Sequence, residues 1–411
     1  MRRMVSKTLL VIGTLGAVTV AGACGHPGVT NASSHGLRWE IIPRAFRQVP
    51  PVTLWPALVW YNNCTREVQW YVSYGTPDHF TYPRQYDNDT LFFWNGSQWR
   101  PLKVTFSLHP AIGVVTWDSN DCRLVDIGFT TGVPAAQSRP GQVLNPTWIW
   151  DGSSWRIASV TSPALLYGEV MVYDPASRDI LLFGQSSQPV REDGTWPVPE
   201  GNAYQIIHQI GQIYLEQIKL PHFTWRTTPS RTSSTWTFNG WTWVEQHLDN
   251  GPPVVNGFSA VYDEGPLAVY DPATRTVVLF GGGTNPMLVN AQSTRKPGAP
   301  LFVESKPVYD TWLWNGVTWT KADVKDNPQV DTTYSAMAYD PLLKGVVLYD
   351  TQSRATWLWN GNDWKRLRTT NTMSPESGYN PSMVFDASTG QMILTGGAAH
   401  RSTWVLAGSI H

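Results

Sequence analysis

Apolar residues recur along the chain in short segments that are interrupted by turn-forming residues. In one kind of segment, two nearly continuous apolar runs flank an Asp-initiated turn, as in Ala-Val-Tyr-Asp-Pro-Ala-Thr-Arg-Thr-Val-Val-Leu-Phe-Gly-Gly at 268–282. Such runs indicate strands buried on both faces, and an Asp at that place binds the backbone of its own turn. Each segment therefore predicts a hairpin. Copies lie at 58–71, 114–128, 171–184, 268–282, 337–349 and 383–397.

A second kind of segment follows most of these hairpins and carries much of the tryptophan. Its pattern is Thr-Trp-x-Trp-Asn/Asp-Gly-x-x-Trp, with copies at 147–155, 235–243, 311–319 and 356–364 and a degraded copy at 91–99. Asn-Gly or Asp-Gly between apolar residues predicts a hairpin with a two-residue type I′ turn. That register pairs tryptophans across the two strands, namely Trp148 with Trp155, Trp236 with Trp243, Trp312 with Trp319 and Trp357 with Trp364.

Two hairpins make a four-stranded antiparallel sheet, and the pair of segments occurs six times. With its apolar runs that end in Gly-Gly (281–282 and 396–397) and its aromatic-rich hairpins, the chain resembles the kelch-type β-propellers, a family related to the propeller of galactose oxidase. The resemblance covers about residues 36–411 and implies an all-β fold, a six-bladed propeller. Several blades depart from the di-glycine pattern; for example, Gln185 follows Gly184 and Asp350 follows Tyr349.

The two ends of the chain predict how the ring closes. The last unit ends at 402–408, which supplies a third strand without its partner. Gly36-Leu-Arg-Trp39 has the Gly-x-x-Trp spacing of Gly361-Asn-Asp-Trp364. We therefore expect residues 36–43 to form the outermost strand of the sixth blade, which leaves the ring no open sheet edge.

The N-terminus has the features of an export signal. Arg2, Arg3 and Lys7 precede an apolar run over 9–20 and the sequence Ala-Gly-Ala before Cys24, which predicts a lipoprotein-type signal peptide over 1–23. Cys24 would be diacylated and would anchor the protein to the outer face of the bacterial cytoplasmic membrane through a tether over 24–35. Plain secretion is the alternative. An exported compartment permits a disulfide, so Cys64 and Cys122, which occupy equivalent turns of two blades, are either bonded or two inert thiols.

Insertions between the second and third strands of the blades predict the binding side. They are long at about 75–90, 130–146, 185–234 and 284–310, and in a propeller all of them open on one face. The longest contains 203–219, which suits an amphipathic helix or a hairpin. Charged and aromatic residues of these loops suit a sugar ligand and are the candidate ligand contacts: Asp78, His79, Arg191, Trp196, His222 and Trp225.

Composition and spacing exclude several kinds of chemistry. Lys and Arg number 30 against 31 Asp and Glu, a balance that argues against nucleic-acid binding. None of the nine histidines has metal-ligand spacing, so we expect no metal and no cofactor, and no catalytic residue can be assigned. The copper site of galactose oxidase, with its Tyr–Cys cross-link, has no counterpart around Cys64 or Cys122. The repeated aspartates are expected to cap turns rather than form an acidic ring: Asp118, Asp174, Asp271, Asp340 and Asp386.

These observations favour an exported, monomeric, non-enzymatic binding or scaffold module. Its ligand, a glycan or a protein, would lie on the face that carries the long loops. The alternative is a carbohydrate-active hydrolase, lyase or isomerase with its site at the axial mouth on that face. Kelch-like propellers include sugar isomerases, so the resemblance is compatible with both.

Overall fold

The chain folds into six four-stranded antiparallel sheets, which are the blades of a β-propeller. This computed structural model describes residues 36–43, 45, 58–72, 90–102, 110–130, 146–159, 163, 167–185, 234–253, 265–284, 306–370, 374–375, 380–396 and 402–408. Within these ranges the helical content is a 3₁₀ turn at Thr332–Tyr334. The prediction of an all-β, six-bladed propeller is confirmed.

In the first three blades the strands follow the chain order from the axis outwards. Blade 1 contains β2 (Leu58–Asn62), β3 (Glu67–Val72), β4 (Thr90–Trp94) and β5 (Trp99–Leu102). Blade 2 contains β6 (Pro110–Asp118), β7 (Arg123–Thr130), β8 (Thr147–Trp150) and β9 (Trp155–Ser159). Blade 3 contains β10 (Tyr167–Asp174), β11 (Asp179–Gln185), β12 (Ser234–Phe238) and β13 (Trp243–Gln246).

The remaining blades repeat this plan, except that the last one uses both ends of the chain. Blade 4 contains β14 (Leu267–Asp271), β15 (Thr276–Phe280), β18 (Thr311–Trp314) and β19 (Trp319–Lys321), with a small ladder of β16 (Gly283–Thr284) and β17 (Lys306–Pro307) beside it. Blade 5 contains β20 (Ser335–Asp340), β21 (Gly345–Asp350), β22 (Ala355–Trp359) and β23 (Trp364–Leu367). Blade 6 contains β24 (Pro381–Asp386), β25 (Gln391–Gly396), β26 (Thr403–Ala407) and β1 (Arg38–Ile42).

The innermost strands close a ring about the axis. In the order β2, β6, β10, β14, β20 and β24 each one contacts the next, and β24 contacts β2. The predicted closure is confirmed, because β1 pairs with β26 as the outermost strand of blade 6, with Trp39 opposite Leu406. The last blade is thus completed by a strand from the opposite end of the chain.

The core consists of six apolar layers, one between each pair of neighbouring blades. Val346 and Val347 show how a single strand serves two layers, since Val346 packs towards blade 4 and Val347 towards blade 6. Both side chains are fully buried. The near-continuous apolar runs of the second strands therefore reflect burial on both faces, as predicted.

A repeated hydrogen bond joins neighbouring blades. The fourth-strand Trp of one blade donates its indole N–H to the hydroxyl of a Thr at the first or second position of the third strand of the preceding blade. Five such bonds of 2.7–3.0 Å are present: Trp39–Thr356, Trp99–Thr403, Trp243–Thr147, Trp319–Thr235 and Trp364–Thr311. The conserved spacing of Thr and Trp in the repeat thus has a structural cause.

The repeated aspartates cap the turns between first and second strands. In blade 3, for example, Asp174 accepts a hydrogen bond of 2.8 Å from the backbone N–H of Ala176, and Asp118, Asp271, Asp340 and Asp386 accept the equivalent bond. The fourth residue after the Asp has a positive φ, which is 64° at Arg178. The prediction of turn capping is confirmed.

The predicted register of the outer hairpins is wrong by two residues. Trp359, not Trp357, lies opposite Trp364, and the backbone N–H of Asn360 donates to the carbonyl of Asp363 over 3.3 Å. The side chain of Asn360 accepts bonds from two backbone N–H groups, those of Asn362 and Asp363. This Asx cap stabilises a four-residue loop in place of the expected two-residue turn.

Cys64 and Cys122 form a disulfide with their Cα atoms 6.2 Å apart. Each lies in the turn between the first and second strands of its blade, so the bond links blade 1 to blade 2. The separation of the Cα atoms is within the usual range for disulfides.

The antiparallel order gives the propeller two different faces. The turns between strands one and two, and between strands three and four, lie together on one face, which we call the turn face. The connections between strands two and three lie on the other, the loop face. The long insertions, including 203–219, lie outside the described residues, whereas in blade 5 the equivalent connection is the short turn 351–354.

Candidate active site

The predicted ligand contacts lie outside the described residues. Asp78, His79, Arg191, Trp196, His222 and Trp225 all belong to the insertions of the loop face, and Cys24 precedes the described part of the chain. Their roles stay predictions. The candidate site is therefore built from the described strands around the axis.

Asp126 occupies a core position that is apolar in every other blade. It lies on β7 opposite Val115, the third residue before the turn-capping Asp118. The second-strand residues at this register in the other blades are buried apolar side chains: Trp70, Leu182, Leu279, Leu348 and Leu394. Asp126 is only 4% exposed. A carboxylate costs far more free energy to bury than a leucine, so packing alone does not explain this residue.

Glu169 is a second carboxylate in an unusual place. It lies on β10, the innermost strand of blade 3, and its side chain is partly buried. The pairing of β10 with β11 is irregular between Tyr167 and Val170, which places Glu169 in a β-bulge. Bulges commonly occur beside active sites, where they redirect a side chain. Glu169 is therefore directed by an irregularity of the backbone next to the axis.

The two carboxylates belong to neighbouring blades whose innermost strands are in contact. Asp126 lies opposite Val115, the third residue before the turn-capping Asp118 of its blade. Glu169 is the fifth residue before the turn-capping Asp174 of its own blade. Glu169 is thus about 7 Å nearer the loop face, since a strand rises about 3.4 Å per residue. The longest insertion of the chain, 186–233, follows β11 in the same blade as Glu169.

Another buried carboxylate near the loop face has a structural role. Asp350 is 1% exposed and ends β21. It accepts bonds from the backbone N–H groups of Gln352 at 3.2 Å and Ser353 at 2.8 Å, and from the Ser335 hydroxyl at 3.4 Å. These donors belong mainly to its own turn, so Asp350 caps the short connection of blade 5. Asp126 and Glu169, in contrast, lie within strands.

Tyrosines with a raised pKa lie at the opposite end of the axis. Burial raises the pKa of Tyr173 to about 12, and the nearby carboxylate of Asp118 adds to the effect. Burial likewise raises the pKa of Tyr270 and Tyr339, each with a contribution from the turn-capping Asp of the preceding blade. These phenols stay neutral at physiological pH and pack between blades near the turn face. They are poorly suited to act as general bases.

Within the described ranges, no three His, Cys, Asp or Glu side chains lie close enough together to hold a metal ion. The same part of the chain contains no helix with the length and apolar character needed to cross a membrane.

Sequence reasoning missed both Asp126 and Glu169, although one signal was present. When the second strands of the six hairpins are aligned on the turn Asp, Leu-Val-Asp-Ile-Gly at 124–128 stands beside Ile-Leu-Leu-Phe-Gly at 180–184. An acidic residue in a run that is otherwise apolar is a local conflict with the fold, and such conflicts are expected at functional sites. The bulge at Glu169 has no comparable sequence signal.

No protein-family model matches the sequence, and no curated protein matches it either. Among solved structures, the chain is similar to the protein YjhT, with a TM-score of 0.51 and 11% identity over 88% of this chain and 97% of that one. It is also similar to the gluconolactonase XC5397 from Xanthomonas campestris, with a TM-score of 0.42 and 11% identity over 90% of this chain and 89% of that one. A third similar structure is the GH93 α-L-arabinofuranosidase of Fusarium graminearum, with a TM-score of 0.43 and 9% identity over 91% of this chain and 97% of that one.

Identities this low show a common fold alone. The prediction of a non-enzymatic binding or scaffold module is nevertheless wrong as the preferred interpretation, because these similar propellers include a gluconolactonase and an arabinofuranosidase.

Proposed function

We propose that this protein is a carbohydrate-active enzyme with its site at the axial mouth on the loop face, and that Asp126 and Glu169 are its functional carboxylates. One observation carries the proposal. In two neighbouring blades a carboxylate lies at an unusual strand position. Asp126, on the second strand of blade 2, replaces the apolar residue of the other blades, and Glu169, on the innermost strand of blade 3, lies in a bulge.

Most enzymes that cleave a glycosidic bond use two carboxyl groups. One donates a proton to the leaving oxygen, and the other acts as nucleophile or activates water. Lyases and isomerases of sugars also need a group that removes a proton and a group that returns it. Glu169, which is partly exposed and nearer the loop face, suits proton exchange with a bound sugar. Asp126 suits a charge-stabilising role deeper in the site.

The loop residues complete this proposal. Trp196 and Trp225 would stack on the apolar face of a sugar ring, whereas Asp78, Arg191 and His222 would bind its hydroxyl groups. We further propose the kelch-type assignment of the propeller and an exported, monomeric protein that is anchored through Cys24. A glycan on or near the cell envelope is then the natural substrate.

Turnover by the two carboxylate variants tests the proposal. Wild type, Asp126→Asn and Glu169→Gln are assayed on a panel of glycosides, polysaccharides and sugar lactones, and circular dichroism checks that each variant is folded. The wild type is expected to convert at least one class, and each variant is expected to lose about 10²–10⁴-fold in kcat. Asp386→Asn is the matched control, because Asp386 is an equally buried carboxylate that caps a turn on the other face. This control should lose stability and keep its kcat.

Two results would count against the proposal. One is a folded wild-type protein that converts no member of the panel. The other is a wild type that is active while both Asp126→Asn and Glu169→Gln keep full kcat. In the second case Trp196→Ala and Trp225→Ala would show whether the loop face still binds the sugar, because loss of stacking raises KM.

A further inference from the structure

Three large apolar side chains are exposed on one sector of the turn face. Trp241 is 81% exposed, Val317 is 72% exposed and Leu342 is 69% exposed. Trp241 and Val317 lie in the outer turns of blades 3 and 4, and Leu342 lies in the inner turn of blade 5. We call the turns of these three blades the apolar sector. Exposed apolar residues that cluster on one side of a protein commonly mark an interaction surface.

Basic side chains lie between these apolar residues. The inner turns of blades 3, 4 and 5 carry Arg178, Arg275 and Lys344 at the same position, and all three are exposed. The aspartates that begin these turns are no more than 5% exposed, because they cap the turn backbone. The sector therefore presents its cations to solvent while most of its acidic groups are turned inwards.

The opposite sector of the same face differs in character. The inner turns of blades 6, 1 and 2 expose small polar and charged residues, such as Ser388, Asn63 and Asp121. Among the described residues of these turns, no large apolar side chain is exposed to the extent of Trp241. Arg123 of blade 2 is held in ion pairs with Asp118 and Asp121, both at 2.9 Å. The two halves of the turn face are thus chemically distinct.

The chain enters the propeller beside the apolar sector. Gly36 lies next to Gly408 at the end of blade 6, on the turn face. Leu37, which follows it, packs in the same apolar layer as Leu343, the neighbour of Leu342 in blade 5. Cys24, the predicted acylation site, precedes Gly36 by 12 residues. A fully extended tether of that length reaches about 40 Å, so an acylated chain would hold the turn face near the membrane.

We propose that the apolar sector docks on an anionic lipid bilayer. Trp and Leu side chains insert at the level of the headgroups, and Arg and Lys are attracted to anionic lipids. With Trp241, Val317 and Leu342 towards the membrane, the loop face points away from it. The contact supplies the second attachment that a lipid anchor needs for stable membrane binding, and it does not depend on any catalytic activity.

Sedimentation with lipid vesicles tests the proposal without the anchor. Gly36–His411 forms a compact unit that holds every described strand and core layer, so the chain from residue 24 onwards, carrying Cys24→Ser, is used. It is mixed with vesicles of phosphatidylglycerol and phosphatidylcholine in equal parts, or of phosphatidylcholine alone. We expect the parent chain to bind the anionic vesicles. The double variant Trp241→Ala, Leu342→Ala should lower the partition coefficient about tenfold. Each of Arg178→Gln, Arg275→Gln and Lys344→Gln should lower the partition coefficient about fivefold.

Two matched variants serve as controls. Arg66→Gln removes the same basic position from blade 1, and Val244→Ala removes an apolar side chain that is 51% exposed on the outer strand β13. Both should bind like the parent chain. Failure of the parent chain to bind anionic vesicles would overturn the proposal, and so would equal binding by the apolar-sector variants. Self-association that Trp241→Ala abolishes, without vesicle binding, would assign the sector to an interface between copies of this chain instead.

Discussion

The hydrogen bond from Trp319 to Thr235 offers a quantitative test of how neighbouring blades are joined. The indole N–H of Trp319 in blade 4 donates to the Thr235 hydroxyl in blade 3 over 3.0 Å. The two residues are 4% and 2% exposed, so water cannot readily replace either partner. Thr235→Val keeps the shape of the side chain and leaves the N–H buried without an acceptor. We expect the free energy of unfolding to fall by about 1–3 kcal/mol, which is the cost of an unsatisfied buried donor.

A double-mutant cycle separates the bond from the packing. Thr235→Val, Trp319→Phe and the double variant are unfolded in urea, and the free energies of unfolding are compared with that of Thr320→Val. Thr320 lies beside Trp319 on the same strand and is exposed, so its variant should stay within about 0.5 kcal/mol of wild type. The double variant should be more stable than additivity predicts by about 1 kcal/mol. A cycle that is strictly additive, or a Thr235→Val cost no larger than that of the control, would refute the role of the bond.

Three further predictions concern other parts of the propeller. Replacing both Cys64 and Cys122 by Ala should lower the free energy of unfolding by about 4 kcal/mol, since the bond spans 58 residues of sequence; urea denaturation measures it. The pKa of Tyr173 is about 12 in the folded protein and 10 in the unfolded chain. The contribution of this tyrosine to stability is therefore complete below pH 10 and is lost as the pH rises through about 12. Tyr173→Phe should therefore shift alkaline unfolding, followed by far-UV circular dichroism, to higher pH. Gly345→Ala should cost about 1–3 kcal/mol in the same urea assay, because a Cβ there overlaps the carbonyl oxygen of Trp359.

Each of these predictions has a result that would contradict it. The disulfide prediction fails if dithiothreitol leaves the urea midpoint of the wild type unchanged. The tyrosine prediction fails if Tyr173→Phe and wild type unfold at the same alkaline pH. For Gly345, the control is Gly251→Ala, whose Cβ would meet the Trp319 ring at an ordinary 3.6 Å, and an equal effect of the two variants would contradict steric overlap.

The sequence predicted the fold well because each blade repeats the same local signals. The turn at Asp174 and the closing strand near Trp39 follow from short motifs that act over a few residues, and both are present where expected. The register of the outer hairpins differs from the prediction because their Asn-Gly and Asp-Gly pairs do not form two-residue turns. The Asn360 side chain instead binds two backbone N–H groups and widens the loop, a competition that the dipeptide alone does not reveal.

The site was harder to predict, for a different physical reason. Asp126 lies in a strand and not in an exposed loop, and a carboxylate inside an apolar run is informative only when all six blades are compared. Glu169 depends on a bulge, which arises from the pairing of β10 with β11 and not from a turn signal in its own strand. The ligand contacts proposed in the loops, such as Trp196, lie outside the described residues and stay predictions.

The pairing of β1 with β26 has a consequence for the order in which the protein folds. Arg38 and Ala407 pair with each other only when the ends of nearly the whole chain have come together. The entropic free-energy cost of closing such a loop is about 4 kcal/mol larger than that of closing a five-residue turn. During synthesis the first strand therefore cannot pair until the last one has been made. Five blades can form by local pairing as they emerge, while the sixth, with Trp39 hydrogen-bonded to Thr356, locks the ring in a single late step. A nascent chain that lacks β26 would keep both an unpaired β1 and an exposed apolar layer beside blade 5. The ring therefore closes only after β26 has been synthesised.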